Sequence, residues 1–312
     1  MPVFCGLLAV QFAVQPYLTR TFTDGLDAGA CVAAVEVLKL LLCCLCLRLR
    51  HASSPPAWNW TGLAGAAGPA VLYVFANMAG TVASKSIDAV TCNVISQTKL
   101  LFTALLAVTT KPISGRKWVG IIVILLASVL TAADSDGQAA QAYWIGTAAA
   151  FASAMASAVA AVLAERALLE GRDPLVYTAE LSLWGLFALL LLSPKSFGQL
   201  GHARPVSAVP LTTQALGGIF VGVVTKRFGS LNKSILLVVS LLMTGLLHVF
   251  LEGAWPSSSA VASILLVVSG LVIYKELDQQ LPLRWQSGVR FGTLLGRPFQ
   301  TDAWVKEYAG LP

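Results

Sequence analysis

The sequence predicts an all-α polytopic membrane protein whose ten transmembrane helices form two inverted five-helix repeats. The composition, the spacing of the apolar runs and a match between the two halves of the chain carry this prediction. The chain has 312 residues, of which 56% are hydrophobic and only 12% are charged, and its mean hydropathy is +0.75. Because a soluble domain carries about 25% charged residues, this composition excludes an ordinary soluble protein.

The apolar runs recur along the chain at lengths close to the ~20 residues that a helix needs to cross a bilayer. The first run is the weakest, because Gln11, Gln15 and Pro16 interrupt it. Together the runs predict one transporter domain over 1–276, with repeat one at about 1–133 and repeat two at about 142–276, and a cytosolic tail over 277–312. The predicted spans are 2–18, 28–47, 61–83, 88–109, 117–133, 142–164, 175–193, 208–227, 232–251 and 256–275.

The basic residues orient these spans. With the N-terminus in the cytosol, the cytosolic loops and tail hold fourteen Lys and Arg residues, the opposite side holds four, and three lie within spans, which accounts for all 21. This bias predicts that both termini are cytosolic. The basic residues form no stripe interleaved with aromatic side chains, so the net charge of +6 does not indicate a nucleic-acid partner.

The six cysteines lie in or beside apolar runs, which does not indicate a disulfide framework. Cys43, Cys44 and Cys46 cluster at the end of the second span. We interpret these three as small apolar packing residues rather than as metal ligands or lipid attachment sites. The sequence predicts neither a metal nor a cofactor.

Ionisable residues inside the spans are the main functional signal. They are Glu36 and Lys39 in the second span, Lys99 in the fourth, Glu180 in the seventh and Lys233 at the start of the ninth. A lysine at the centre of a membrane helix costs about 2.5–3.5 kcal/mol on insertion scales. Such residues therefore face a partner or an aqueous cavity.

Two of these residues match two others when the spans are divided into sets of five. Glu36 in VEVLKL corresponds to Glu180 in AELSLW, and Lys99 in QTKLLFTALLAV corresponds to Lys233 in LNKSILLVVSLL. Because five is odd, the halves would be inverted in the membrane, as in many transporters that bind substrate between their repeats. We expect the two lysines to converge on an anion with two or more negative charges, such as a phosphate.

Neutral polar residues near Lys99 are candidates for recognising the rest of the ligand. Asn93 and Gln97 precede it by less than two helical turns, and Tyr73 and Asn77 supply a ring and an amide in the third span. A structural ion pair for Lys99 and a snorkelling side chain for Lys233 remain open alternatives.

The acidic residues of the spans predict a polar network that supports or gates the site. Glu36 and Lys39 are three residues apart, which places them on one helix face and favours a local ion pair. Glu180 is a candidate for the same network. The adjacent Gly217 and Gly218 predict close helix packing in the eighth span.

Four stretches of this chain resemble the nucleotide-sugar transporters of the drug/metabolite transporter superfamily. They are VEVLKLLL (35–42), SIDA (86–89), QTKLLFTALLAV (97–108) and QALGGIFVGVVTKRFGSLNKS (214–234). The resemblance keeps its order along nearly the whole chain to about Lys275. It implies that the family's phosphate-binding positions fall on Lys99 and Lys233.

The details of the resemblance favour one branch of that family. The CMP-sialic acid and UDP-galactose carriers have a Gln-Asn pair in the third helix, where this chain has Ala76-Asn77, and Asn and Gln in the seventh, where it has Thr178 and Glu180. The stretches SQTKLLFTA, AELS and LLMTGLLHVFLEGAWPSS are more similar to the plant-type carriers of UDP-N-acetylglucosamine and UDP-N-acetylgalactosamine.

The resemblance implies an antiporter of the endoplasmic reticulum or Golgi membrane. A pyrimidine nucleotide sugar would enter the lumen and a nucleoside monophosphate would return to the cytosol. The alternatives are a CMP-sialic acid or UDP-galactose carrier and an exchanger of phosphorylated metabolites. A membrane enzyme is disfavoured, because such enzymes need acidic metal-binding clusters and Asp134-x-Asp136 in a short loop is a pair rather than a cluster. A scaffold role is disfavoured by the paired lysines. The sequence leaves open whether the chain forms a homodimer.

Overall fold

The computed structural model describes residues 2–50, 60–108, 115–133, 140–253, 255 and 257–279. The chain divides into a unit over Met1–Lys275 and a second unit over Glu276–Pro312. Of the second unit, the structure describes only the end of one helix, so the predicted cytosolic tail lies almost entirely outside the described residues. All regular structure in the described part of the chain is helical.

Eleven α-helices account for most of the described residues, and two short 3-10 turns lie between α9 and α10. The α-helices are α1 (Pro2–Phe22), α2 (Ala28–Arg50), α3 (Trp60–Ser86), α4 (Ala89–Ser96), α5 (Lys99–Val108), α6 (Gly115–Ala133), α7 (Ala140–Leu169), α8 (Pro174–Leu192), α9 (Lys195–Gln199), α10 (Ala208–Glu252) and α11 (Ser258–Gln279).

The length and hydropathy of the helices agree with a protein that crosses a membrane several times. Within the described residues, six segments are long and apolar enough to span a bilayer: α2, α3, α4 with α5, α7, α8 and 205–226. Three shorter apolar segments lie in α6, in the second part of α10 and in α11. Many large apolar side chains face outward, among them Leu192, Phe250 and Trp255. In a bilayer these side chains would contact lipid rather than water.

Helix α10 combines the eighth and ninth predicted spans in one hydrogen-bonded element. It runs for 45 residues without a proline after Pro210, and it ends at Gly253, which adopts φ +65° and donates its N–H to Val249 O at 3.1 Å. The positive φ is a left-handed conformation that glycine adopts without steric cost. The sequence prediction of two separate helices is therefore wrong at the level of secondary structure.

Contacts with α1 nevertheless show that α10 is not straight. The side-chain amide of Gln11 lies against Gly217, and two residues further along α1 the carbonyl of Ala13 accepts a hydrogen bond from Thr244 Oγ1 at 3.4 Å. A straight helix would separate Gly217 from Thr244 by about 40 Å, at 1.5 Å per residue. Both parts of α10 instead lie beside the same segment of α1, so the helix bends sharply between them. We call 208–226 the first arm and 239–252 the second arm.

Small residues allow several helices to approach closely. A Cβ atom on Gly120 of α6 would lie 2.5 Å from the carbonyl oxygen of Gly270 on α11, and one on Gly270 would lie 2.7 Å from the carbonyl oxygen of Gly120. Backbone atoms of the two helices are thus in direct contact, as small residues permit between membrane helices.

Candidate functional site

Lys99 lies where the fourth predicted span is interrupted. Helix α4 ends at Ser96 and α5 begins at Lys99, so the span consists of two short helices. At the interruption the backbone hydrogen bonds shorten to a three-residue spacing: Gln97 N–H donates to Val94 O and Leu100 N–H to Gln97 O, each at 3.0 Å. Lys99 is ten residues after the start of α4, about 15 Å along the axis and close to the middle of a ~30 Å hydrocarbon core.

The polar side chains at this interruption satisfy nearby backbone carbonyls. Gln97 Nε2 donates to Asn93 O at 3.3 Å, and Thr98 Oγ1 donates to Ile95 O at 2.7 Å. Side chains thus replace part of the lost helical bonding, which is how broken membrane helices keep their backbone groups paired. These bonds hold the interruption immediately before the lysine.

The Lys99 ammonium donates a hydrogen bond to Ser157 Oγ on α7. Ser157 belongs to the small-residue stretch FASAMASAVAAVLAE, and sequence reasoning did not single it out. This contact joins the start of α5 to α7 through a neutral hydroxyl.

Asn93 points to a different part of the bundle from Lys99. Its Nδ2 donates to Thr244 Oγ1 on the second arm of α10 at 2.7 Å, and Tyr17 on α1 donates to the carbonyl of Thr244 at 3.3 Å. This polar cluster joins α1, α4 and α10 near the interruption. In this conformation, therefore, the Asn93 amide serves a contact between helices.

Tyr73 and Asn77 lie one turn apart on α3. Tyr73 packs in an apolar cluster with Ala164, Leu168 and Tyr177, from α7 and α8. The carbonyl of Asn77 accepts a hydrogen bond from Thr81 Oγ1 at 2.9 Å, and its side chain is half-buried. Both residues thus belong to the helix that packs against α7, which also carries Ser157.

Glu36 and Lys39 form the ion pair that their spacing indicates. Lys39 Nζ lies 2.6 Å from Glu36 Oε1, and Glu36 is only 2% exposed. Gly218 on the first arm of α10 lies against the lysine, because a Cβ there would be 2.9 Å from Lys39 Cδ. Gly185 of α8 faces the carboxylate, with a corresponding distance of 3.4 Å to Glu36 Cδ. The pair is therefore enclosed between three helices.

Glu180 pairs with an arginine outside its own helix. Arg172, in the turn between α7 and α8, reaches the Glu180 carboxylate with Nη2, and Glu180 is 1% exposed. The guanidinium also lies over the Tyr177 ring, with its Cζ atom 4.8 Å from the ring centroid. Sequence reasoning assigned Arg172 to a cytosolic loop and missed this contact, since no spacing rule connects a loop residue with a span residue eight positions later.

Two further contacts hold Arg172 in position. Its guanidinium occupies the space beside Gly62 of α3, where a Cβ would be 2.7 Å from Nη2. Lys226, at the end of the first arm of α10, donates to the Arg172 carbonyl at 2.7 Å. One arginine thereby connects α3, α8 and α10 at one end of the bundle.

Helices α2 and α8 are joined at both ends by their capping aspartates. Asp27 caps α2 by accepting from the Ala30 N–H at 2.5 Å, and it accepts from Ser196, just after α8, at 3.2 Å. Asp173 caps α8 and forms an ion pair with Arg50, the last residue of α2, at 3.0 Å. The two helices are therefore antiparallel. The aspartate that caps the start of each helix bonds a residue at the end of the other.

Lys233 lies in α10, and its side chain is outside the described residues. The predicted convergence of Lys99 and Lys233 on one site therefore stays a prediction. Among the described residues, no group of three or more His, Cys, Asp or Glu residues is arranged to hold a metal ion.

Comparisons with known proteins support the resemblance that the sequence indicates. The chain is 29% identical over 293 residues to the UDP-N-acetylglucosamine transporter ROCK1 of Arabidopsis thaliana, covering 86% of this chain and 90% of that protein. It is 25% identical over 225 residues to the human UDP-N-acetylglucosamine transporter, covering 66% of this chain and 69% of that protein. No protein-family model matches the chain.

The fold also resembles that of a solved protein. A crystal structure superimposes on 90% of this chain and 98% of its own chain, with a TM-score of 0.62 and 16% sequence identity. Together with the apolar helices, these findings confirm a multi-pass membrane protein that resembles nucleotide-sugar transporters. The named relatives are transporters, which supports the prediction that this chain is not an enzyme.

Proposed function

We propose that this chain is an antiporter that moves a UDP-N-acetylhexosamine from the cytosol into the lumen of the endoplasmic reticulum or Golgi. The nucleoside monophosphate left after glycosyl transfer would return in exchange. The observation that carries this proposal is Lys99, a cation at the first residue of a half-helix, where an apolar membrane span is interrupted. The printed names of the relatives support UDP-N-acetylglucosamine as the substrate.

The chemistry at Lys99 suits a phosphate group. The N-terminus of α5 is the positive end of that helix's dipole, and it adds to the charge of the ammonium. A phosphate would take the place of Ser157 as the partner of Lys99. We propose that Lys233 supplies the second positive charge, and that Tyr73, Asn77, Asn93 and Gln97 recognise the base and the sugar.

We propose that ten membrane segments form two inverted repeats around this site. The reversal of α10 supports this proposal, because its arms correspond to the eighth and ninth predicted spans. The reciprocal ties between α2 and α8 also support it, since two helices related by a two-fold axis would make equivalent contacts at their opposite ends. In this architecture both termini are cytosolic, and the two halves rock to expose the site alternately.

The mechanism follows from the charges. Without a ligand, Lys99 and Lys233 repel each other and keep the site open. A nucleotide sugar or a monophosphate removes that repulsion, so only an occupied carrier changes orientation readily, which gives obligatory exchange. The two buried pairs, Glu36–Lys39 and Glu180–Arg172, form the polar network that supports or gates the site during this movement. Whether two chains associate as a homodimer does not enter this mechanism.

Uptake by purified protein in liposomes tests the proposal. Vesicles would be loaded with UMP, with CMP or with buffer alone, and supplied with a panel of labelled nucleotide sugars. We expect UMP to drive uptake of UDP-N-acetylhexosamines and empty vesicles to take up little. Equal uptake into empty and loaded vesicles would contradict the exchange mechanism.

The same assay separates the alternatives. Uptake driven by CMP would indicate a CMP-sialic acid carrier, and UMP-driven uptake of UDP-galactose alone would indicate that branch. An exchanger of phosphorylated metabolites would be insensitive to UMP but would respond to small sugar phosphates. No exchange with any phosphate compound would leave Lys99 as a structural charge.

A further inference from the structure

Two cysteines near the end of α2 lie on the outside of the bundle. Cys44 and Cys46 are exposed, whereas Cys31, Cys43 and Cys92 are buried. The sequence interpretation of Cys43, Cys44 and Cys46 as packing residues is therefore correct for Cys43 and wrong for the other two. Their exposure requires a different explanation, because a thiol that packs against no helix contributes nothing to the core.

The surface around these thiols is apolar and continuous. Leu41, Leu45 and Leu49 form a stripe along α2 and are 61%, 54% and 76% exposed. At 100° per residue, Cys44 and Cys46 lie on either side of this stripe. In a multi-pass membrane protein such a stripe faces lipid, so both thiols border the acyl chains of the bilayer.

Both thiols also lie close to one membrane surface. Cys44 and Cys46 precede Arg50, the last residue of α2, by about 9 Å and 6 Å along the axis. Arg48 and Arg50 occupy the last turn, and Arg50 is bonded to Asp173 outside the span. Arginines at a helix end extend to the interface, which places the thiols at the boundary between the headgroups and the acyl chains.

We propose that Cys44 and Cys46 are S-acylation sites, where a long-chain fatty acyl group is attached as a thioester. The acyl donor is a long-chain acyl-CoA. The sulfur of the cysteine forms a bond to the acyl carbon, the bond from that carbon to the sulfur of CoA breaks, and the thiol proton ends on the released CoA thiol. The acyl chain then lies along the leucine stripe, in the lipid that already surrounds it.

The placement of the two residues distinguishes them from the other described cysteines. Juxtamembrane cysteines beside basic residues are the usual substrates of reversible acylation, because the thiol and the acyl donor meet at the cytosolic interface. This end of α2 is cytosolic in the topology proposed above, and the inference rests on that topology. It does not rest on the identity of the transported sugar.

Thioester-specific mass tagging tests the inference. The full chain would be expressed in eukaryotic cells, free thiols would be blocked, and hydroxylamine would cleave any thioester before a mass tag is added. We expect up to two tags on the wild-type chain, one on Cys44→Ser or Cys46→Ser, and none on the double variant. Cys92→Ser, which changes a buried cysteine, should keep both tags.

The outcomes decide the inference without depending on transport. Wild-type protein without hydroxylamine-dependent tags would overturn it, and so would tags that persist in the double variant. Uptake of a nucleotide sugar by the same preparations is measured separately. A chain that is tagged but does not transport would support the acylation sites and contradict the proposed function. A chain that transports without tags would support the proposed function and contradict the acylation sites.

Discussion

Helices α2 and α8 each bury one glutamate, but each glutamate is neutralised in a different way. In α2 the partner of Glu36 is Lys39, three residues further along the same helix. In α8 the partner of Glu180 is Arg172, which lies before the helix begins and also contacts Tyr177 and Gly62. The first pair is local, whereas the second holds three parts of the chain together. We therefore expect that removing the cation of the second pair destabilises the protein more than removing the cation of the first, although either change leaves one buried carboxylate without its partner.

Removing Arg172 should have the largest effect on stability. Arg172→Met leaves the Glu180 carboxylate buried without its cation, which costs about 3–5 kcal/mol for a buried pair. Thermal unfolding of the purified protein in detergent measures the loss. The double variant Arg172→Met, Glu180→Gln should recover much of it, because no uncompensated charge remains.

Lys39→Met is the matched variant for this comparison. It also leaves a buried carboxylate without its cation, but it breaks no connection between distant segments. We expect a smaller decrease of the unfolding midpoint than for Arg172→Met. If Lys39→Met proved the more damaging of the two, the tertiary role assigned to Arg172 would be wrong.

Two glycines beside the Glu36–Lys39 pair offer variants for which we expect losses of stability of intermediate size. Gly218→Ala should destabilise the protein by about 1–3 kcal/mol, because its Cβ would lie 2.9 Å from Lys39 Cδ and must displace the lysine or the helix. Gly185→Ala places its Cβ 3.3 Å from Val74 Cγ2 and 3.4 Å from Glu36 Cδ, which a small side-chain shift relieves, and alanine favours a helix by about 0.5–1 kcal/mol. The two unfolding midpoints should therefore shift by clearly different amounts, and equal losses would contradict the packing described here.

The smallest effect is expected at the surface. Arg50→Gln removes an ion pair with Asp173 whose arginine side chain is 60% exposed. Exposed pairs contribute about 0.2–1 kcal/mol, and salt screens them. The shift of the unfolding midpoint should be small at low salt and should disappear at high salt. A large shift that persists in high salt would mean that this tie between α2 and α8 is as important as the buried pairs.

The same contrast explains what the sequence could predict. The Glu36–Lys39 pair follows from helical spacing, and the spans follow from hydropathy, because both signals are local in the chain. The partner of Glu180 and the contact between Lys99 and Ser157 depend on which helices become neighbours, which no local pattern specifies. The packing role of Cys44 and Cys46 was wrong for the same reason, since composition does not tell which side of α2 faces lipid.

Helix α10 shows that hydropathy can predict the path of the chain and still give the wrong helix boundaries. Apolar runs predicted two spans, and the secondary structure is continuous, with no proline in the helix between Pro210 and Gly253. The contacts of Gly217 and Thr244 with neighbouring residues of α1 show the reversal. The hydropathy signal thus predicted the path of the chain better than the boundaries of its helices.

The central claim is that Lys99 binds the phosphate of a nucleotide, and ligand-dependent thermal stabilisation tests it most directly. UMP and uridine differ only in the phosphate group, so their difference isolates that interaction. We predict that UMP raises the unfolding midpoint of the wild-type protein and that uridine has little effect. In Lys99→Met the affinity for UMP should fall about 10- to 100-fold, since a charge-assisted hydrogen bond contributes about 1.5–3 kcal/mol. Lys195→Met, at an exposed lysine, should bind UMP as the wild type does. Unchanged stabilisation of Lys99→Met by UMP would contradict the claim.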